Sequence, residues 1–262
     1  MPLNIVDYPA PPVCGGSQWT VADEERLATL VALVMVGRSH MAVRVLQGAQ
    51  GNPPLATAAL RDHLRRQLFP AAGPPTYHRD GLLFEIICWV VAHITAGPNE
   101  VISEPHLTST SQGLDTIKMS FDPNDRTVQN VVIYEQKCTE DPRALFLDQV
   151  LPAFRKWFSG ARDNELLQAT IGLLQGFDLT DAESTRVYDR LLQDRPFAFR
   201  AALTVNQNPF TVAQCLALFA GYPNIIPALE DRYGDTFPLA DIRAWFSVFA
   251  NRVWQKIEAA NV

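Results

Sequence analysis

The chain has 262 residues, a formal net charge of -6 and a hydrophobic fraction of 47%. That is enough apolar material for one large domain, or for a catalytic domain with helical additions, and it excludes an intrinsically disordered chain. The acidic balance excludes a protein coated all over with positive charge for binding nucleic acid; basic residues must be gathered locally, or a partner must deliver such a substrate.

The four cysteines, Cys14, Cys88, Cys138 and Cys215, form no CxxC pair, so the spacing argues against a zinc site and for buried thiols. The N-terminus MPLNIVDYPAPPVCGG lacks a basic region followed by an apolar run and does not read as a signal peptide. The apolar run from Gly81 to Ile94 is 14 residues long and contains Glu85 and His93, too short and too polar to span a bilayer. A soluble, cytoplasmic protein is expected.

Residues 1–19, rich in Pro and Gly, read as an extended lead-in. Helical patterns follow from Thr20 to about Val36, from Ser39 to Gln47 and from Ala56 to Leu68, the last with Arg61, Arg65 and Arg66 on its polar side. Asp23, Glu24 and Glu25 open the first of these, where acids favour the positive end of the helix dipole. FPAAGPPTYH breaks the pattern, so 1–76 is expected to be a helical N-terminal region. The run from Gly81 to Ile94 is apolar on all sides and predicts a buried helix, stopped by Gly97-Pro98. Strands are predicted from Val101 to Leu107, Leu114 to Phe121 and Val128 to Cys138, with a turn at Asp122 to Asp125. Asp141-Pro142 opens a helix reaching about Phe158. Helices near 163–175 and 181–194, a strand from Phe197 to Val205, and helices from Thr211 to Phe219 and Leu239 to Ala259 complete the chain. The order argues for a mixed α/β or α+β core.

Chemistry concentrates on the middle strands. Alternation places Val131, Ile133, Glu135 and Lys137 on one face of the third strand, so an acid and a base two residues apart point at one site. Asp115 shares its face with Ile117, Met119 and Phe121, where an unpaired carboxylate is costly. If these strands pair as antiparallel neighbours, Asp115 lies beside Glu135 and Lys137. Glu85, in its apolar helix, also needs a counter-ion or cation. Two or three carboxylates suit Mg²⁺, and a lysine beside them can position water and stabilise charge on a phosphate. An ordinary cross-strand ion pair is the plain alternative for Glu135 and Lys137.

The sequence of Glu85 in a helix, GLD ending at Asp115 and EQK over 135–137 resembles the PD-(D/E)XK superfamily over roughly residues 78–206. The resemblance implies a restriction-endonuclease-like αβββαβ core within a nuclease-like domain over 77–262, with inserted helices at about 163–194. It implies a Mg²⁺-dependent deoxyribonuclease, Mn²⁺ substituting, with metal on Asp115 and Glu135, Glu85 in support, and Lys137 near the attacking water. HRDGLLFE followed by GLD and ExK looks most like nuclease modules of bacterial antiphage and restriction systems, in which a helicase or ATPase partner would load DNA. Two departures stand out: Leu rather than Pro precedes Asp115, and Ala153 stands four residues after Gln149, so the QxxxY pattern of the RecB-like branch is absent. A catalytically silent nuclease-fold subunit acting as a binding or scaffolding protein is the alternative function, and an accidental ExK in another α/β protein is the third.

Around this core, Lys118 and Arg143 are candidates for phosphate contacts on nucleic acid, with a solvated face as the plain explanation for them and for Arg155 and Lys156. His106 and Glu104 are reserve candidates for the site, and Ser109, Thr110 and Ser111 for phosphate contact. His93 is expected in the core. Ile242, Trp245, Phe246, Phe249, Val253, Trp254 and Ile257 recur at helical spacing and are expected to pack inward.

Overall fold

The computed structural model describes residues 1–8, 13–50, 56–71, 75–106, 115–124, 127–174, 180–206 and 210–259. The segment Ser109–Leu114, including Ser111 and Gly113, lies outside them, as do Leu107 and Asp125.

Seven strands form one mixed sheet: β1 (Leu3–Asp7), β2 (Ser17–Val21), β3 (Glu100–Ile102), β4 (Thr116–Phe121), β5 (Val128–Lys137), β6 (Phe197–Val205) and β7 (Arg232–Pro238), in the order β1-β2-β7-β6-β5-β4-β3. β3, β4 and β5 pair antiparallel, whereas β5, β6 and β7 run parallel. The fold is therefore mixed α/β. The central β5 and β6 are apolar on both faces, as strands covered by helices on both sides must be.

One face carries α1 (Glu24–Met35), α2 (Ser39–Leu46), α3 (Ala58–Leu68), α4 (Pro75–Ile94) and α10 (Ile242–Ala259), whose side chains form a single core with Ala202 and Phe237 of the sheet. Side chains from both sides of position 76 thus share one core. Asp23 caps α1 by accepting from the Arg26 backbone N–H at 2.9 Å. Glu25 then pairs with Arg252 and Lys256 of α10. The aromatic repeat of α10 packs inward, with Phe246, Phe249, Val253 and Ile257 fully buried.

The other face carries α5 (Pro142–Leu145), which continues through a π turn (Phe146–Val150) into α6 (Leu151–Phe158), and α7 (Asp163–Leu174), α8 (Asp181–Asp189) and α9 (Val212–Leu218). Asp141 caps α5 by accepting from the Ala144 N–H, with Pro142 in its first turn. Phe146, Phe154 and Trp157 cover Ile133, Phe199 and Ala201.

The N-terminal lead-in needs correction: β1 and β2 form an antiparallel pair, and β2 joins the parallel strand β7; the sequence reading placed none of these three strands. Close approach makes the junction. Gly16 has φ +139°, and a Cβ there would lie 2.1 Å from the Gly234 carbonyl oxygen. The buried Asp235 locks it, accepting from the Ser17 N–H and hydroxyl and from Arg200 at 2.8 to 3.0 Å.

Candidate functional site

Antiparallel pairing of β4 and β5 sets Thr116 opposite Tyr134, so Asp115 arrives beside the end of β5. There its Oδ2 accepts from the Gln136 backbone N–H at 2.8 Å and from Lys137 Nζ at 2.8 Å. Lys137 Nζ also lies 3.1 Å from Glu135 Oε2. One ammonium is therefore shared by two carboxylates from adjacent strands. Gln136, on the opposite face, donates its side-chain amide to Thr116 at 3.1 Å and stitches the same strand ends together.

The electrostatics of the three groups differ. Glu135 is 5% exposed, and burial pushes its carboxyl up to about 7; Lys137 offsets part of this, while the neighbouring Asp115 adds to it. Arg162 contributes a further stabilising field on the Glu135 carboxylate. Burial opposes the Lys137 ammonium, but Asp115 and Glu135 outweigh it and hold the lysine above its ordinary value. The cluster is thus locked around a cation and still short of positive charge.

Glu85 comes from α4, in the helix layer on the other face of the sheet. Its Oε1 accepts from the His106 backbone N–H at 2.9 Å and lies 3.1 Å from His106 Nδ1. The hydrogen bond to Glu85 raises the His106 pKa, and the field of Asp115 adds to it. His106 is therefore held by Glu85 and feels the charge of Asp115. Three of the four predicted residues meet directly, and Glu85 pairs with His106 instead. His106 also lines a cleft of about 480 Å³ with Ser103, Glu104, Ile117 and the Gly172–Leu173 end of α7. Glu104 is exposed there.

The remaining candidates are engaged elsewhere. Lys118 pairs with Glu100 at 2.9 Å, and Arg143 donates through Nη1 to the carbonyls of Leu218 and Ala220, both at 2.7 Å, bracing the end of α9. His93 stacks on Trp89 at 4.1 Å between ring centres, and burial holds its pKa down at about 4. Sequence reasoning gave Arg162 no role. It follows a turn after α6, stacks 4.3 Å from the Trp157 ring centre and pairs with Glu165. Only tertiary folding brings its charge toward Glu135.

Among the described residues no three His, Cys, Asp or Glu side chains form a ready-made metal cage. The donor set still suits a cation held by few protein ligands. Mg²⁺ is commonly bound through one or two carboxylates, with water and substrate phosphate completing the shell, and Asp115 and Glu135 are such a pair. Comparison with protein-family models finds none that matches the chain, and comparison with curated proteins finds no match either. No helix among the described residues is long and apolar enough to cross a membrane.

Proposed function

We propose that the chain is a metal-dependent nuclease that hydrolyses phosphodiester bonds of DNA. The observation that carries this reading is the sharing of one lysine ammonium by Asp115 and Glu135, with Glu135 buried and driven toward protonation. A buried acid and a half-buried one sharing a single cation are a cluster that can take up a further cation, as a phosphoryl-transfer site requires. The order α4, β3, β4, β5, α5–α6, β6, with β3 to β5 antiparallel and β6 parallel to β5, agrees with the αβββαβ core of the restriction-endonuclease-like fold.

In this reading Asp115 and Glu135 hold Mg²⁺, for which Mn²⁺ substitutes. When bound, the metal supplies Lewis-acid polarisation of a phosphoryl oxygen and eases deprotonation of water. Lys137 positions the nucleophile and stabilises charge on the scissile phosphate. Glu85 fixes His106 at the mouth of the cleft. The resemblance to PD-(D/E)XK enzymes implies a supporting place for Glu85 near the metal, and in the structure its carboxylate holds His106. A setting in antiphage defence, with a helicase or ATPase that loads DNA, accords with the acidic net charge.

A second reading, a silent nuclease-fold scaffold, is favoured by one observation: Lys137 already pairs with both carboxylates. Plasmid and single-stranded DNA incubated with the protein and Mg²⁺ or Mn²⁺ separate the two. The nuclease reading expects cleavage lost in Lys137→Ala; the scaffold reading expects none by either protein.

A further inference from the structure

An acidic chain that acts on a polyanion needs a local patch of positive charge, and the structure has one outside the cluster just described. Between the second half of α3 and the first turns of α4 lies a cleft of about 250 Å³. It is lined by His63, Arg66 and Gln67 of α3 and by His78, Arg79 and Leu82 of α4. Every ionisable side chain among the lining residues is basic.

Arg79 makes this more than a solvated helix face. It is 9% exposed, and its Nε and Nη2 are both fixed on Asp80 Oδ1, at 2.8 and 2.7 Å. Asp80 is itself fully buried and anchored from the other side by Arg243 at 2.7 Å. The guanidinium is thereby immobilised at the cleft wall. Among the described residues its Nη1 has no partner, and Arg66 makes no ion pair. The opening turn of α4 adds the positive end of a 20-residue helix.

We infer that the α3–α4 cleft anchors a backbone phosphate of the nucleic acid on which the chain acts: a preset guanidinium and an adaptable one line it, with no acid among the lining side chains. The inference rests on the nuclease reading for its substrate, and on the cleft alone for its chemistry. Arg66 and His63 are the adaptable contacts and Arg79 is the preset one. This is a positioning contact to the phosphate chain, which carries no base specificity.

The test uses the full chain and fluorescein-labelled single-stranded and duplex DNA in EDTA, so that binding is read without cleavage. Arg66→Glu is the main variant, because Arg66 is exposed and its replacement leaves the Arg79–Asp80–Arg243 network intact. Its affinity should fall about tenfold or more, the effect of losing one charge-assisted contact. For Arg66→Ala the slope of log K against log salt should decrease by about one. Titration with inorganic pyrophosphate, followed by the amide signals of α3 and α4, separates a strand phosphate from a small free anion. Tight pyrophosphate binding with no DNA binding would overturn the strand assignment. Equal DNA affinity and salt slope in wild type and Arg66 variants would overturn the site, even if the wild type cleaves. Conversely, loss of DNA binding in Arg66→Glu by a protein that never cleaves supports the anchor and removes the nuclease reading.

Discussion

Replacing Glu135 by Gln separates a functional carboxylate from an ordinary ion pair. Burial raises the Glu135 carboxyl from 4.5 to about 7. A raised folded-state value means that the stability contribution is fully present below about 4.5 and is lost as the pH rises through about 7. At 1.36 kcal/mol per pKa unit the ionised form costs the fold about 3 kcal/mol at pH 8. Glu135→Gln removes that cost. Some of the gain is lost again because Lys137 keeps only Asp115 as a partner. For a chain of this size each kcal/mol is worth about 2–4 °C in Tm. The variant should therefore melt several degrees above the wild type at pH 8 without metal, and the two should converge toward pH 5. Mg²⁺ or Mn²⁺ at pH 8 should raise the wild-type Tm and leave the variant unchanged. Melting curves by circular dichroism from pH 5 to pH 8 give the answer. A variant destabilised by the same amount at every pH would refute the reasoning and make Glu135–Lys137 a structural pair.

Asp115→Asn should abolish Mn²⁺ binding in isothermal titration, and unchanged binding would take Asp115 out of the metal site. Lys137→Ala should keep the wild-type fold and DNA affinity yet lower cleavage by about 10²–10³-fold, the usual effect of losing one transition-state stabiliser; normal cleavage would end its assigned role. Asp235→Ala leaves Arg200 buried without its carboxylate and should destabilise the fold by about 3 kcal/mol in urea unfolding. A neutral effect would show that the β2–β7 junction does not depend on this pair.

The central elements were legible because their patterns were strong. β6 was expected over Phe197 to Val205 and occupies those residues, and the alternation of β5 correctly put Glu135 and Lys137 on one face. The antiparallel pairing that carries Asp115 to them was a condition of the sequence reading, and β4 and β5 meet it. The N-terminal pair β1–β2 was not legible, since Gly15, Gly16 and the prolines near them mask short strands. Among the described strands β1 pairs only with β2, and β2 joins the sheet through β7, more than 200 residues away. β7 itself, RYGDTFP, has charged residues at buried positions, where Asp235 is met by Arg200 and Ser17 and Arg232 donates to the Ile226 carbonyl. Within the site, the sequence named the charged residues and could not assign their partners. Glu85 was read as in need of a counter-ion or cation; its partner in the structure is His106, a pairing of two residues 21 positions apart that no local spacing announces. Lys118 and Arg143 looked free for phosphate, but tertiary contacts claim both. The basic residues that stay open, Arg66 and His63, lie on a helix that the charge pattern alone leaves indistinguishable from a solvated surface.

The most direct test of the central claim is cleavage of supercoiled plasmid and of single-stranded DNA by the purified chain with Mg²⁺ or Mn²⁺, beside Glu135→Gln in the same buffer. Metal-dependent nicking or degradation by the wild type, stopped by EDTA and absent from a variant that melts no lower, is the expected result. Equal cleavage by both proteins, or cleavage that persists in EDTA, would contradict the assignment of this cluster as a metal-dependent nuclease site.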